Sequence, residues 1–269
     1  MSLSPSPVDR SAIVGRLRAS GCVFAEDEAA LLIAAAGTAA ELAQMVDRRV
    51  AGLPLEHVLG WAEFCGLRIA VDPGVFVPRR RTEFLVSRAL SLLAAAAGGP
   101  PPVVVDLCCG SGAVGAALAA ALGRVELHAA DLDPAAAACA RRNLAAADGH
   151  VYQGDLYQPL PASLRGRVDV LAANVPYVPT GEVALLPAEA RVHEPRLALD
   201  GGADGLDVLR LVADAAPHWL APGGHLLSET SERQATRAAD IVAASGLIPR
   251  VDRSAELNAT VITGTRPAG

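Results

Sequence analysis

The chain has 269 residues, 23 Lys+Arg against 29 Asp+Glu, and a formal net charge of −6. Every cation is Arg, which excludes a Schiff-base lysine and a P-loop lysine, and the acidic balance disfavours nucleic-acid backbones, whose binding needs clustered cations. Hydrophobic residues make up 52% but aromatics only 3%, so small side chains must fill the core, and the length suits one large α/β domain or a domain with a small appendage. The opening stretch, Met1 to Arg10, lacks the apolar core of a secretory signal. No apolar run approaches the roughly 18–20 residues of a membrane helix. Residues 8–52 carry apolar side chains at helical spacing: Val8, Ile13, Val14 and Leu17, then Leu31, Leu32 and Ala35, then Leu42, Met45 and Val46. Gly21, Gly37 and Gly52-Leu53-Pro54 punctuate them, which predicts about three short helices. Phe64, Leu67, Ile69 and Val71 precede Asp72-Pro73-Gly74, and Val75 to Pro78 follow, which predicts a hairpin turning at that Pro-Gly pair.

From Thr82 onward helices and strands alternate. A predicted helix over 82–97 stops at Gly98-Gly99-Pro100. Strands follow at Val103–Val105, Glu126–Ala130, from Val151 and at Val168–Ala173 and His225–Ser228, with helices at Gly112–Leu122 and Pro134–Ala147. Leu247–Val251 and Asn258–Thr265 flank a short connection that suits an antiparallel pair. The pattern predicts an α/β class: a doubly wound, Rossmann-like sheet with an antiparallel last strand. The expected divisions are a helical domain at 1–58, a linker with a β-hairpin at 59–81, and the α/β unit at 82–269. Cys22, Cys65, Cys108, Cys109 and Cys139 form an odd set without paired Cys-x-x-Cys spacing. That argues against a disulfide framework or a metal site and for a reducing cytoplasm. The adjacent Cys108-Cys109 reads as small residues in a tight turn before it reads as a redox pair.

The sharpest local signal is Val103 to Gly115, where a buried strand enters a glycine turn and a helix follows. Gly110 to Gly115 spells G-x-G-x-x-G, yet Asp106 at the strand end would repel a pyrophosphate on that helix N-terminus. The same carboxylate suits the ammonium of a methionine moiety, and an acidic mouth suits a sulfonium. Asp131 ends the second strand 19 residues after Gly112, placed to accept ribose hydroxyls. Leu132 follows it, while Asp133-Pro134 reads as a helix start. Asp155, after the third strand, is placed for an adenine amino group, with Leu156 packing on the ring. Each Asp alone is more often a solvated loop residue; three at successive strand ends favour S-adenosylmethionine. The fourth strand ends in Asn174-Val175-Pro176-Tyr177. Held in plane, a planar amide or amine would find acceptors in the Asn174 side chain and the Val175 carbonyl, over the flat face of Tyr177.

At these residues the chain resembles the HemK/PrmC family of protein N(5)-glutamine methyltransferases. Further matching stretches are Val77-Pro78-Arg79-Arg80-Arg81-Thr82-Glu83, His193-Glu194-Pro195-Arg196, Asp204-Gly205-Leu206-Asp207 and Leu220 to Gly224. The resemblance implies a class I methyltransferase sheet that uses S-adenosylmethionine as cofactor. It implies that Asp106, Cys108, Cys109, Gly110, Ser111, Gly112, Asp131, Leu132, Asp155 and Leu156 hold it, with Asn174 at its edge and Arg79 and Thr82 ordering the linker above. Asn174, Val175, Pro176 and Tyr177 would grip a glutamine amide in a protein substrate, with catalysis assigned to Asn174, Pro176 and Tyr177. In the family the N-terminal domain recognises peptide-chain release factors through their Gly-Gly-Gln loop. This chain departs from the family at Cys108 (Gly), at Val175 (Pro) and in a shorter N-terminal helical zone. Neither a metal, a membrane nor a stable nucleic-acid partner is expected, and a monomer is. An adenine-type N-methyltransferase, an NAD-dependent oxidoreductase and a non-catalytic binding relic remain as alternatives.

Overall fold

The computed structural model describes residues 7–94 and 99–268, with side chains from Arg10 onward. The chain opens on helices α1 (Pro7–Ala19), α2 (Ala25–Ala35), α3 (Ala39–Val50) and the short α4 (Leu55–Leu59). Leu17, Ala25, Ala29, Leu32, Met45, Val46 and Val58 form their common core. Thr38 starts α3 by accepting from the Glu41 amide at 3.1 Å, and Glu41 reaches back to the Gly37 amide at 2.8 Å. This Thr-x-x-Glu exchange satisfies amides that the first helical turn cannot.

The hairpin forms, but not where the Pro-Gly signal placed it. Strands β1 (Trp61–Phe64) and β2 (Leu67–Ala70) pair antiparallel around Cys65-Gly66, whose φ values are +49° and +73°. Two consecutive positive φ angles are what a two-residue turn matched to strand twist requires. Asp72-Pro73-Gly74 closes only a local turn, with the Val75 amide 3.0 Å from the Asp72 carbonyl. The predicted second arm does not pair, because Val71, Val75 and Val77 bury their side chains against Ala136 and Cys139.

The sheet then assembles from β3 (Val103–Leu107), β4 (Glu126–Asp131), β5 (His150–Gln153), β6 (Val168–Ala173), β7 (Leu220–Thr230), β8 (Ile248–Ser254) and β9 (Ala259–Thr265). Their order is β5-β4-β3-β6-β7-β9-β8, and β9 alone runs opposite to the other six. On one face lie α5 (Glu83–Ala94), α6 (Ala113–Leu122) and α7 (Pro134–Leu144). The helix predicted over 82–97 is described from Glu83 to Ala94; residues 95–98, with the Gly98 stop, and residues 1–6 lie outside the described residues. After the small α8 (Ala188–His193), α9 (Asp207–Trp219) and α10 (Ala235–Ala244) cover the other face. Small residues allow close helix packing: a Cβ on Gly112 would lie 3.1 Å from the Ala140 Cβ.

Strand order reverses between β3 and β6, the position where open α/β sheets bind ligands beyond the carboxyl ends of their strands. Register aligns Leu107 with Ala173, so the turn starting at Cys108 and the loop starting at Asn174 leave the sheet side by side.

Candidate active site

Between those two loops lies a cleft of about 210 Å³. Asp106, Cys108 to Ser111, Asp131, Leu132, Asp155 and Leu156 line one side. Asn174 to Tyr177 and Glu229 line another, while Phe76, Arg79, Arg81 and Thr82 of the linker roof it. Three carboxylates read from separate strand ends thus meet in one space. Gly112 alone of the predicted site residues is not in the lining. It starts α6 with φ +77° and serves the approach to Ala140.

The turn after β3 takes its shape from alternating positive φ angles at Cys108 (+53°), Gly110 (+55°) and Gly112 (+77°). Cys108 therefore occupies a left-handed conformation that glycine would adopt without steric cost. Burial and the surrounding aspartates push both the Cys108 and Cys109 thiols up, which disfavours the thiolate needed for redox exchange. Asp106 is fully enclosed. Its Oδ2 accepts from the Gly115 amide at 2.9 Å, one of the unpaired amides of the α6 N-terminus, and its other oxygen accepts nothing among the described residues. Burial pushes its pKa up to about 8, against the opposing effect of the Gly115 amide. Asp131 accepts from the Gly110 amide at 2.8 Å and from the Asp133 amide at 2.9 Å, and burial raises its pKa too. Each Asp131 oxygen keeps a second acceptor direction for a ligand hydroxyl. Asp133 also borders the cleft, but its Oδ1 caps α7 by accepting from the Ala135 amide at 2.8 Å.

This donor set fits S-adenosylmethionine. A buried carboxylate with a spare oxygen suits an ammonium, paired acceptors on Asp131 suit a ribose diol, and Leu156 offers an apolar face beside Asp155. The Asn174–Tyr177 loop is held from behind. Gln234 Nε2 donates to the Tyr177 and Asp204 carbonyls, both at 2.9 Å. A Cβ on Gly201 would fall 2.5 Å from the Pro176 carbonyl oxygen, and one on Gly205 2.3 Å from that of Tyr177. Only glycine permits this backing, so the Asp200–Leu206 segment abuts the loop directly.

The linker roof is anchored rather than free. Arg79 pairs with the buried Glu194 at 2.5 Å and lies over the Phe76 ring, and Glu194 also accepts from the Val77 amide. Thr82 donates to Glu229 at 2.6 Å, so its hydroxyl faces that carboxylate. Glu229 escaped sequence reasoning, although a carboxylate closing a sheet strand at Leu226-Leu227-Ser228-Glu229 carried the signal that identified Asp106 and Asp131. The N-terminal helices connect to this region through Arg49, whose buried guanidinium reaches Glu28 at 2.6 Å, Glu189 of α8 at 2.5 Å and the Leu53 carbonyl at 3.0 Å.

A seven-stranded sheet with an antiparallel β9 and an acidic cleft at its switch point defines an S-adenosylmethionine-dependent methyltransferase. A profile of the family "Methyltransferase small domain" matches residues 66–216. A release factor glutamine methyltransferase of Geobacter sulfurreducens is 39% identical over 193 residues, which span 71% of this chain and 65% of that protein's own length. One from Bradyrhizobium diazoefficiens is 35% identical, covering 91% of this chain and 88% of its relative. Among solved structures, a methyltransferase from Pyrococcus furiosus matches at a TM-score of 0.53 and 16% identity over 75% of this chain and 90% of that one. The chain belongs to the release factor glutamine methyltransferase family. Its G-x-G-x-x-G letters are thus those of a methyltransferase and not of a nicotinamide-dependent dehydrogenase. No helix among the described residues is long and apolar enough to cross a membrane.

Proposed function

We propose that this enzyme methylates the side-chain amide nitrogen of a glutamine in a protein substrate, the Gly-Gly-Gln loop of a peptide-chain release factor, in the cytoplasm. The observation that carries the reading is the Asn174–Tyr177 loop standing at the lip of the donor cleft, backed by Gln234 and two obligatory glycines. Membership of the family supports the choice of glutamine and of the release factor. The five free cysteines support a reducing compartment.

S-adenosylmethionine supplies an electrophilic methyl group when bound; Asp106, Asp131, Asp155 and Leu156 are the residues that would hold it. The acceptor nitrogen is the difficult partner, because its lone pair is delocalised into the amide. In this reading the Asn174 side-chain oxygen and the Val175 carbonyl hold its two N–H bonds in one plane. Both acceptors interact more strongly as the nitrogen becomes tetrahedral and its protons more acidic, which is stabilisation specific to the transition state, and the surplus N–H proton of the methylated amide, now strongly acidic, passes to water without a dedicated base. Tyr177 supplies the flat surface that fixes the amide plane, and orientation removes much of the entropic part of the barrier. The linker roof limits water, whose oxygen would otherwise compete for the methyl group. Val175 keeps the family's carbonyl acceptor, and its buried side chain packs among core residues in place of the proline ring.

The test is incubation with labelled S-adenosylmethionine and a release factor, followed by mass spectrometry of the methylated position. Label on the glutamine of Gly-Gly-Gln is expected. Label on nucleic acid and never on glutamine would reject the assignment.

A further inference from the structure

Glu229 is the convergence point of three donors from two distant parts of the chain, Arg81 and Thr82 of the linker and Tyr177 after β6. It is the penultimate residue of β7, with a side chain only 2% exposed. One oxygen accepts from Arg81 Nε at 2.7 Å and from the Tyr177 hydroxyl at 2.8 Å; the other accepts from Thr82 Oγ1 at 2.6 Å. Arg81 also lies over the Tyr177 ring, 5.6 Å from its centroid. The ring is therefore gripped at its hydroxyl by a carboxylate, on its face by the cation paired with that carboxylate, and at its backbone by Gln234. Short bonds to a buried carboxylate are among the stronger polar contacts a protein makes, and their geometry is specific.

We propose that Glu229 is a positioning residue for methyl transfer: it locks the Tyr177 ring as the acceptor platform and ties that platform to the linker roof through Thr82 and Arg81. This rests on the reading of Asn174–Tyr177 as the acceptor grip. Glu229 acts through the tyrosine. The oxygen that holds the Tyr177 hydroxyl is filled by that hydroxyl and by Arg81, the other holds Thr82, and the ring it orients is the surface on which a planar amide lies. A roof and a platform fastened to one carboxylate keep a fixed spacing, and that spacing defines the slot an amide must enter. Loss of the lock leaves the donor subsite of Asp106, Asp131 and Asp155 intact, because none of those residues bonds to Glu229.

Glu229→Gln keeps the shape but removes the charge and turns one acceptor oxygen into a donor NH2, so the three bonds cannot all keep their direction. Its kcat with a Gly-Gly-Gln peptide or release factor is expected to fall at least tenfold. The calorimetric Kd for S-adenosylmethionine is expected to stay within threefold. Tyr177→Phe removes only the hydroxyl and should reproduce much of that loss. In the double variant kcat should lie within about threefold of the slower single variant, since both changes break the same contact. Losses that multiply, or donor affinity that falls in parallel with kcat, would overturn the proposal. A second readout does not depend on the acceptor. The chain has three tyrosines, so 13Cζ-tyrosine NMR can assign Tyr177 by its absence in Tyr177→Phe. Its resonance should move upfield in Glu229→Gln as the carboxylate hydrogen bond is lost. An unmoved resonance, with wild-type glutamine methylation intact, would overturn this inference alone. Wild-type protein that fails to methylate glutamine would instead overturn the reading of the acceptor.

Discussion

A donor ammonium placed against Asp106 is expected to release a proton. Its carboxyl is enclosed at the end of β3, with one amide for a partner, and burial lifts its pKa to about 8, whereas an unfolded chain would show about 4. The free folded protein therefore keeps a proton that the unfolded chain has lost between about pH 4 and pH 8. Folding stability contributed by this group falls by about 1.4 kcal/mol per pH unit across that window, because the folded state binds the extra proton. An ammonium placed against the spare oxygen reverses the preference and expels the proton. At pH 6.5 the free carboxyl is almost fully protonated, given a pKa of about 8, while an α-ammonium is still charged. Binding of S-adenosylmethionine at that pH should release close to one proton. Titration calorimetry in two buffers of different ionisation enthalpy measures the number directly, as the slope of observed heat against buffer enthalpy. Asp106→Asn should abolish the release and weaken the donor by about 10- to 100-fold, the value of one charge-assisted hydrogen bond of roughly 1.5–3 kcal/mol. Heat that is independent of buffer, or an equal proton count in Asp106→Asn, would refute the coupling.

Three further outcomes follow from the same geometry. Asn174→Ala should abolish transfer to glutamine and leave the calorimetric affinity for S-adenosylmethionine within a few-fold. Gly201→Ala changes no functional side chain but drives a methyl to 2.5 Å from the Pro176 carbonyl oxygen; a kcat loss of more than tenfold, with about 1–3 kcal/mol lost from the thermal or denaturant transition, is expected. Arg49→Met strands the Glu28 carboxylate, both of whose oxygens face Arg49, so a cost of about 3–5 kcal/mol should appear first as lost amide-exchange protection across α1 to α3.

The parts of the fold that the sequence shows are those written within a few residues. Asp106, Asp131 and Asp155 could be read because a carboxylate beside the end of a buried run is a local pattern. The antiparallel β9 could be read because a short turn joins it to β8. The hairpin turn was misplaced for an equally local reason. Asp72-Pro73-Gly74 is the stronger turn signal by composition, but Cys65-Gly66 is where both residues adopt positive φ and pair Phe64 with Leu67. No composition rule marks a cysteine for that conformation. The contacts that assemble the site are non-local. Glu229 meets Thr82 from 147 residues away and Tyr177 from 52, and Arg49 meets Glu189 from 140. Such pairings are set by the order of strands across the sheet, so a carboxylate that looks like any strand-end residue becomes the centre of a network.

The choice between a nucleotide-phosphate cofactor and a cationic methyl donor can be made from the same backbone amides. In a dinucleotide-binding turn the amides at the helix N-terminus face a pyrophosphate. Here the Gly110 amide is spent on Asp131, the Gly115 amide on Asp106, and the Gly112 amide on the Cys109 carbonyl at 2.7 Å. The two arginines of the roof that reach the cleft are likewise engaged, Arg79 by Glu194 and Arg81 by Glu229. What this wall offers a ligand is carboxylate oxygen, with its nearby cations already paired. A pyrophosphate would meet the Asp106 and Asp131 carboxyls where the Gly110 and Gly115 amides would otherwise receive it. A ligand carrying an ammonium and a sulfonium would neutralise a wall that is costly to leave charged. The absence of lysine and the net charge of −6 describe the whole molecule, but it is this local arrangement of amides already bonded to acids that selects the cofactor.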